Sequence, residues 1–100
     1  GVASRTKALE AQQELKMVQT LEYGYFLQYS KYSSDLREIG YIPHQLVTEN
    51  GTALYEISII ESSPTGYKAK AEAVQDFNGD GKRNIWEIDQ TGVLKEIQPD

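Results

Sequence analysis

The sequence contains no cysteine, only three prolines and a single histidine. The absence of cysteine excludes a disulfide, a thiolate metal site and a cysteine nucleophile. Its apolar runs are short, so we find no segment that could cross a bilayer and no recognisable signal peptide in this sequence. Stability is therefore expected to come from a packed core.

Basic residues are also scarce, because ten Lys and Arg are scattered among 15 Asp and Glu and leave a formal net charge of -5. Nucleic-acid binding depends on clustered Lys and Arg that neutralise phosphates, so we expect no nucleic-acid partner. The chain has 100 residues, of which 39% are hydrophobic. This supports one core and not two, so residues 1–100 are expected to form a single domain.

The first third of the chain has the composition of a helix. Residues 4–32 contain no proline and one glycine, Gly24, and are rich in strong helix formers. The pattern predicts a helix over 4–32, about 40 Å long and longer than the body of so small a domain. We therefore expect its first turns to project without intrachain contacts. Apolar residues recur every three or four positions, as one stripe that Glu22 interrupts: Ala8, Ala11, Leu15, Val18, Tyr25 and Tyr29.

Residues 33–54 are predicted to be a connecting loop, and residues 55–97 a sheet. Capping residues before Gly40 indicate one helical turn in the loop, and Asn50-Gly51 indicates a tight turn. In the sheet the apolar period becomes two, and Ala69, Ala71 and Ala73 give one strand a flat face that we expect to lie against the helix. The predicted fold class is α+β, a long N-terminal helix packed on a three- to four-stranded antiparallel meander sheet.

The segment from Asp76 to Glu87 carries the D-x-N-x-D-G-x₅-E spacing of an EF-hand calcium loop. Ca²⁺ takes six to eight oxygen ligands, and a glycine at the sixth position lets the backbone turn sharply enough to converge them. A plain hairpin turn is the alternative, since Asp, Asn and Gly also dominate turns and strands flank this loop. We favour Ca²⁺ as a cofactor. The predicted ligands are Asp76, Asn78, Asp80, the carbonyl of Lys82, Asn84 and Glu87.

Catalytic candidates are weak by comparison. His44, the one histidine, follows a proline in the predicted loop and has no second histidine or nearby carboxylate on a shared element. The sequence offers no nucleophile paired with a base, so we predict that the protein is not an enzyme. The tyrosines of the helix have helical spacing, which favours a place in the core or an interface over a stacking platform for single-stranded nucleic acid.

Three segments, taken in order, resemble the globular part of bacterial type IV pilins and type II secretion pseudopilins. The first is the aromatic helix end at 25–32, followed by the turn Asp35-Leu36-Arg37-Glu38-Ile39-Gly40-Tyr41. The second is the strand Gly66-Tyr67-Lys68-Ala69-Lys70-Ala71, and the third is the Asp- and Gly-rich turn with a tryptophan strand at 76–89. Together they cover nearly the whole chain.

The resemblance implies a non-enzymatic structural subunit of a pilus or secretion pseudopilus filament. Its partners would be copies of itself and related pilins, and a preceding apolar half-helix, absent from this sequence, would anchor it in the inner membrane before assembly. Its location would be the bacterial cell surface or the periplasm. Pseudopilins that lack the C-terminal disulfide can use calcium there, which fits the absence of cysteine. The neighbouring subunits would contact an exposed stripe near Ala8, Ala11 and Leu15.

Two other functions remain open at this stage. One is a free-standing secreted module that binds a carbohydrate or a protein in a calcium-dependent way, as an adhesin domain does. The other is a small enzyme, which we rank last. The sequence upstream distinguishes the first two, because about twenty apolar residues leading into the helix would favour the pilin and a cleavable signal would favour the binding module.

Overall fold

The computed structural model describes residues 2–100, with side chains from residue 4 onward. One long helix precedes a four-stranded antiparallel sheet in the order β1-β2-β3-β4, so the predicted α+β class and meander topology are confirmed. The elements are α1 (Val2–Tyr29), a short 3-10 helix (Val47–Glu49), β1 (Tyr55–Ser62), β2 (Tyr67–Ala73), β3 (Ile85–Asp89) and β4 (Lys95–Gln98).

Helix α1 passes through Gly24 without a break, as predicted. It ends at Tyr29, three residues before the predicted end at 32, because Ser30 adopts a left-handed backbone with φ 58°. The Ser30 amide still donates to the Phe26 carbonyl at 2.8 Å and closes the last turn. A helix of 28 residues is about 42 Å long. The longest dimension of the fold is 43 Å, so α1 runs along its whole length.

The expectation that the first turns of α1 project freely is wrong. Ala8 is only 6% exposed, and the Lys7 ammonium lies 4.8 Å from the centre of the Phe77 ring. Phe77 belongs to the loop between β2 and β3, which extends beyond the strands toward the start of the helix. The loop thus lengthens the body of the domain enough to match α1.

The core lies between one face of α1 and one face of the sheet. Ala69, Ala71 and Ala73 of β2 are completely buried, as the alternation in the sequence predicts. Their short side chains let Leu15 and Val18, both also fully buried, approach the sheet closely. Other buried members of this core are Ala11, Ile39, Tyr41, Tyr55, Ile57, Tyr67 and Ile88.

The connecting segment is held by local hydrogen bonds. The Asp35 carboxylate accepts the Arg37 amide at 2.9 Å and starts a hydrogen-bonded turn that ends at Gly40, whose φ is 89°. This turn stands where the sequence predicts one helical turn. The 3-10 helix Val47–Glu49 lies in a part that was predicted to be loop.

Candidate functional site

The predicted calcium loop closes on its own first residue. One carboxylate oxygen of Asp76 accepts the Gly79 amide at 2.9 Å, and the other accepts the Gly81 amide at 2.6 Å. These amides, that of Gly81 above all, hold the pKa of the Asp76 carboxyl below its usual range. Asp76 therefore serves as the anion around which the loop backbone turns.

Two further side chains of the loop also accept backbone amides. The Asn78 side-chain oxygen accepts the Asp80 amide at 3.2 Å, and an Asp80 oxygen accepts the Lys82 amide at 2.8 Å. Gly79 and Gly81 have φ values of 76° and 83°, in the left-handed region that favours glycine. The sequence thus correctly places a glycine where the chain turns.

Asn84 was predicted to be a calcium ligand, and the structure corrects this. Its side chain is 2% exposed, and its oxygen accepts the Tyr55 hydroxyl at 2.6 Å and the Trp86 indole N–H at 2.9 Å. Its amide nitrogen donates to Glu96 and to the Gln98 carbonyl, both at 2.9 Å. All of its hydrogen-bonding groups are used to join β1, β3 and β4, so Asn84 has a structural role.

Glu87, the predicted closing ligand, also points elsewhere. Successive side chains of a strand alternate between the two faces of the sheet, and its neighbour Ile88 is buried on the face toward α1. Glu87 therefore lies on the outer face, where its carboxylate is 4.0 Å from the Lys68 ammonium. The analogy with an EF-hand fails at this position because strand alternation fixes the direction of the side chain.

The six predicted calcium ligands are thus not assembled around one point. In residues 2–100, no three His, Cys, Asp or Glu side chains are grouped as a metal site would need. Asp76, Asn78, Asp80 and the Lys82 carbonyl still belong to one short loop, with Asn84 and Glu87 removed from the set. Calcium binding by these four residues stays a prediction.

The predicted subunit contact needs a second correction. Ala8, Ala11 and Leu15 are 6%, 0% and 0% exposed, because they face the sheet of the same chain. An apolar stripe of this kind is typical of a helix face that packs on its own core. These three residues cannot touch a neighbouring subunit in the folded domain.

The opposite side of α1 is apolar and open to solvent. Leu9, Met17, Tyr23 and Leu27 are 52%, 50%, 57% and 66% exposed. Residues 9 and 27 are five helical turns apart and point in the same direction, so this surface runs for about 27 Å. We call it the outer helix face, and it comprises Leu9, Gln13, Lys16, Met17, Thr20, Tyr23, Gly24 and Leu27. Sequence reasoning missed it because the inner stripe was read as the only apolar one, although these residues also recur at helical spacing.

The carboxylates of α1 all turn away from this surface. Glu10 accepts the backbone amides of Leu54 and Tyr55, at 2.9 and 3.1 Å. Glu14 accepts the Tyr41 hydroxyl at 2.8 Å. Glu22 accepts the Ser33 amide at 2.9 Å. Between residues 9 and 27 the outer helix face therefore carries no carboxylate, and its one cation, Lys16, donates to the Gly92 carbonyl at 2.7 Å.

His44 lies beside a small cleft between α1 and β1. Its Nε2 is 3.5 Å from the Glu14 carboxylate, but its side chain is 69% exposed. The cleft has a volume of about 220 Å³ and is lined by Glu10, Glu14, Tyr41 and Tyr55 among others. The carboxylates that line it are already engaged by the protein's own amides and hydroxyls.

Neither helix within residues 2–100 combines the length and the apolar character that a membrane crossing requires. Comparison of the chain with protein-family models, with curated proteins and with solved structures finds no match.

Proposed function

We propose that this domain is a non-enzymatic structural subunit of a type IV pilus or a type II secretion pseudopilus, and that it contacts neighbouring subunits through the outer helix face. The observation that carries the proposal is the division of α1 into two faces. One face is used up by the chain's own sheet, and the other exposes Leu9, Met17, Tyr23 and Leu27 over about 27 Å. A monomer gains nothing from keeping these side chains in water.

Electrostatics supports contact with other copies of the same chain. With a formal net charge of -5, two copies repel each other over most of their surfaces. The outer helix face is free of carboxylates between residues 9 and 27, because Glu10, Glu14 and Glu22 are turned inward. Acidic subunits therefore meet with least repulsion along this face.

The remaining parts of the proposal come from the resemblance to pilins. A preceding apolar half-helix would hold the subunit in the inner membrane before assembly, and the assembled filament would lie in the periplasm or at the cell surface. Related pilins join copies of this chain as partners. Calcium is a possible further ligand only for the loop residues Asp76, Asn78, Asp80 and Lys82. No observation favours the alternative of a free calcium-dependent binding module, since Asn84 and Glu87 are turned away from that loop.

The test is to place a charge on the outer helix face in the full-length protein, in cells that assemble the filament. We expect Leu27→Glu to prevent assembly while the purified domain keeps the melting temperature of the wild type, since Leu27 is 66% exposed. The matched control is Ile60→Glu on the sheet, which also replaces an exposed apolar residue and should assemble normally. Normal filaments with Leu27→Glu would overturn the proposed interface.

A further inference from the structure

Glu22 is a carboxylate in the middle of the core. It follows Val18 by one helical turn on the inner face of α1, and it is completely buried. One of its oxygens accepts the Ser33 amide at 2.9 Å, but the other is buried with no hydrogen-bond partner among the described residues. Leaving a buried charged oxygen unpaired is costly, so this position needs an explanation.

A second buried polar atom without a partner stands on the facing strand. The hydroxyl of Tyr67 in β2 has no hydrogen bond among the described residues, although Tyr67 is only 4% exposed. Burial first, and then the negative charge of Glu22, raise the pKa of Tyr67, so this hydroxyl stays protonated. The two unpaired atoms therefore belong to groups that interact, one on α1 and one on β2.

The surroundings of Glu22 disfavour its charge. Ser33 holds two carboxylates at once, because its amide donates to Glu22 and its hydroxyl donates to Glu38 at 2.5 Å. Burial raises the pKa of Glu22, the Ser33 amide lowers it, and the charge of Glu38 raises it further. The titratable groups that act on Glu22 are Glu38 from the turn, Tyr25 from α1 and Tyr67 from β2. No Lys or Arg in the described part of the chain forms an ion pair with it.

We propose that Glu22 is a pH-sensitive clamp, which in its protonated form donates from its second oxygen to the Tyr67 hydroxyl and ties α1 to β2 and to the Ser33 turn. In its ionised form the same oxygen is buried, charged and unpaired, and the joint between these three segments is weaker. This inference stands on the burial and hydrogen bonding of Glu22 and does not depend on the proposed function.

The sign of the pH dependence follows from the direction of the shift. The folded protein holds the Glu22 proton to a higher pH than the unfolded chain, whose value is 4.5. The extra stability is fully present below pH 4.5 and is lost as the pH rises through the folded-state pKa. Over that window the ratio of folded to unfolded protein changes by a factor of up to about ten for each pH unit.

The direct measurement is a ¹³C NMR titration of the Glu22 side-chain carboxyl in the folded domain. We expect its midpoint to lie above 4.5, with the exposed Glu56 as the internal reference. The variant Glu38→Gln should lower the midpoint of Glu22, because it removes a neighbouring negative charge. A Glu22 midpoint at or below that of Glu56 would overturn the proposal.

Stability measurements give an independent test. Glu22→Gln keeps the oxygen that accepts the Ser33 amide and offers an N–H to Tyr67, so we expect it to be more stable than the wild type at pH 8. The advantage should shrink toward pH 4, where Glu22 of the wild type is also neutral. Tyr67→Phe removes the acceptor and should destabilise the protein at pH 4 more than at pH 8. Parallel stability curves for the wild type and Glu22→Gln from pH 4 to pH 8 would contradict the clamp.

Discussion

The two faces of α1 solve different problems with the same backbone. The inner face carries small and branched apolar residues together with the carboxylates of Glu10, Glu14 and Glu22, each satisfied at least in part by a group of the chain. The outer face carries large apolar residues and no carboxylate between residues 9 and 27. In an ordinary surface helix the charges stand outside and the apolar residues inside. The departure from that arrangement is what points to a partner.

The comparison of faces makes its strongest prediction for two leucines of the same helix. Leu15→Ala empties a fully buried site and should destabilise the domain by about 2 to 5 kcal/mol. Leu9→Ala removes the same atoms from the outer face, where Leu9 is 52% exposed, and should change the free energy of unfolding by less than about 0.5 kcal/mol.

A denaturant titration of both variants measures this difference. Equal losses would mean that the two faces of α1 are buried alike in the isolated domain, and the division between them would be wrong.

The inner face and the sheet were largely predictable from local pattern. The three- and four-residue spacing of Ala8, Ala11 and Leu15 predicts a stripe, and the alternating alanines of β2 predict the flat surface that receives it. The error was to assign that stripe to neighbouring subunits. Sequence length predicts the length of a helix, but it does not show that the loop containing Phe77 extends the body of the domain to cover its first turns.

The calcium ligands were less predictable, because spacing along the chain does not determine where side chains point. Asn84 is held by Tyr55 and Glu96, partners that are 29 and 12 residues away in the sequence. The direction of Glu87 depends on the register of β3 with β2, in which Glu87 stands opposite Lys70. Both facts come from strand pairing, which a loop motif does not contain.

Gly24 sharpens the comparison from the outer side. It is exposed within α1, and no described atom lies within 4 Å of the place where a Cβ would stand. Glycine in a helix costs about 1 kcal/mol relative to alanine, and nothing in the described fold requires it. Gly24→Ala should therefore stabilise the isolated domain by about 0.5 to 1 kcal/mol.

The same substitution should weaken filament assembly, because a glycine on an interface lets another backbone approach closely. Thermal melting of the domain and the yield of filaments measure the two effects separately. A variant that is both more stable and fully competent in assembly would place Gly24 outside the interface.

The smallest effect concerns the loop that covers the first turn of the inner face. With at most four protein oxygens from Asp76, Asn78, Asp80 and Lys82, against the six to eight that Ca²⁺ takes, we expect weak binding. Calcium at its dissociation constant would stabilise the domain by about 0.4 kcal/mol. Asp80→Asn should remove this gain, and Glu87→Gln should leave it unchanged.

Melting curves in calcium and in chelator compare these variants. An identical curve for the wild type in both conditions would show that the loop is a turn held by Asp76 alone, and a loss of the gain in Glu87→Gln would restore the EF-hand analogy.

The central claim is that the outer helix face is covered by other subunits, and thiol protection tests it most directly. The chain has no cysteine, so a single introduced thiol can be followed without background. Leu9→Cys, Leu27→Cys and the control Ile42→Cys replace residues that are 52%, 66% and 82% exposed in the isolated domain. The account predicts that all three react with a maleimide reagent as free subunits, and that only Ile42→Cys still reacts in assembled filaments. Equal reactivity of Leu9→Cys and Leu27→Cys in filaments and in free subunits would contradict it.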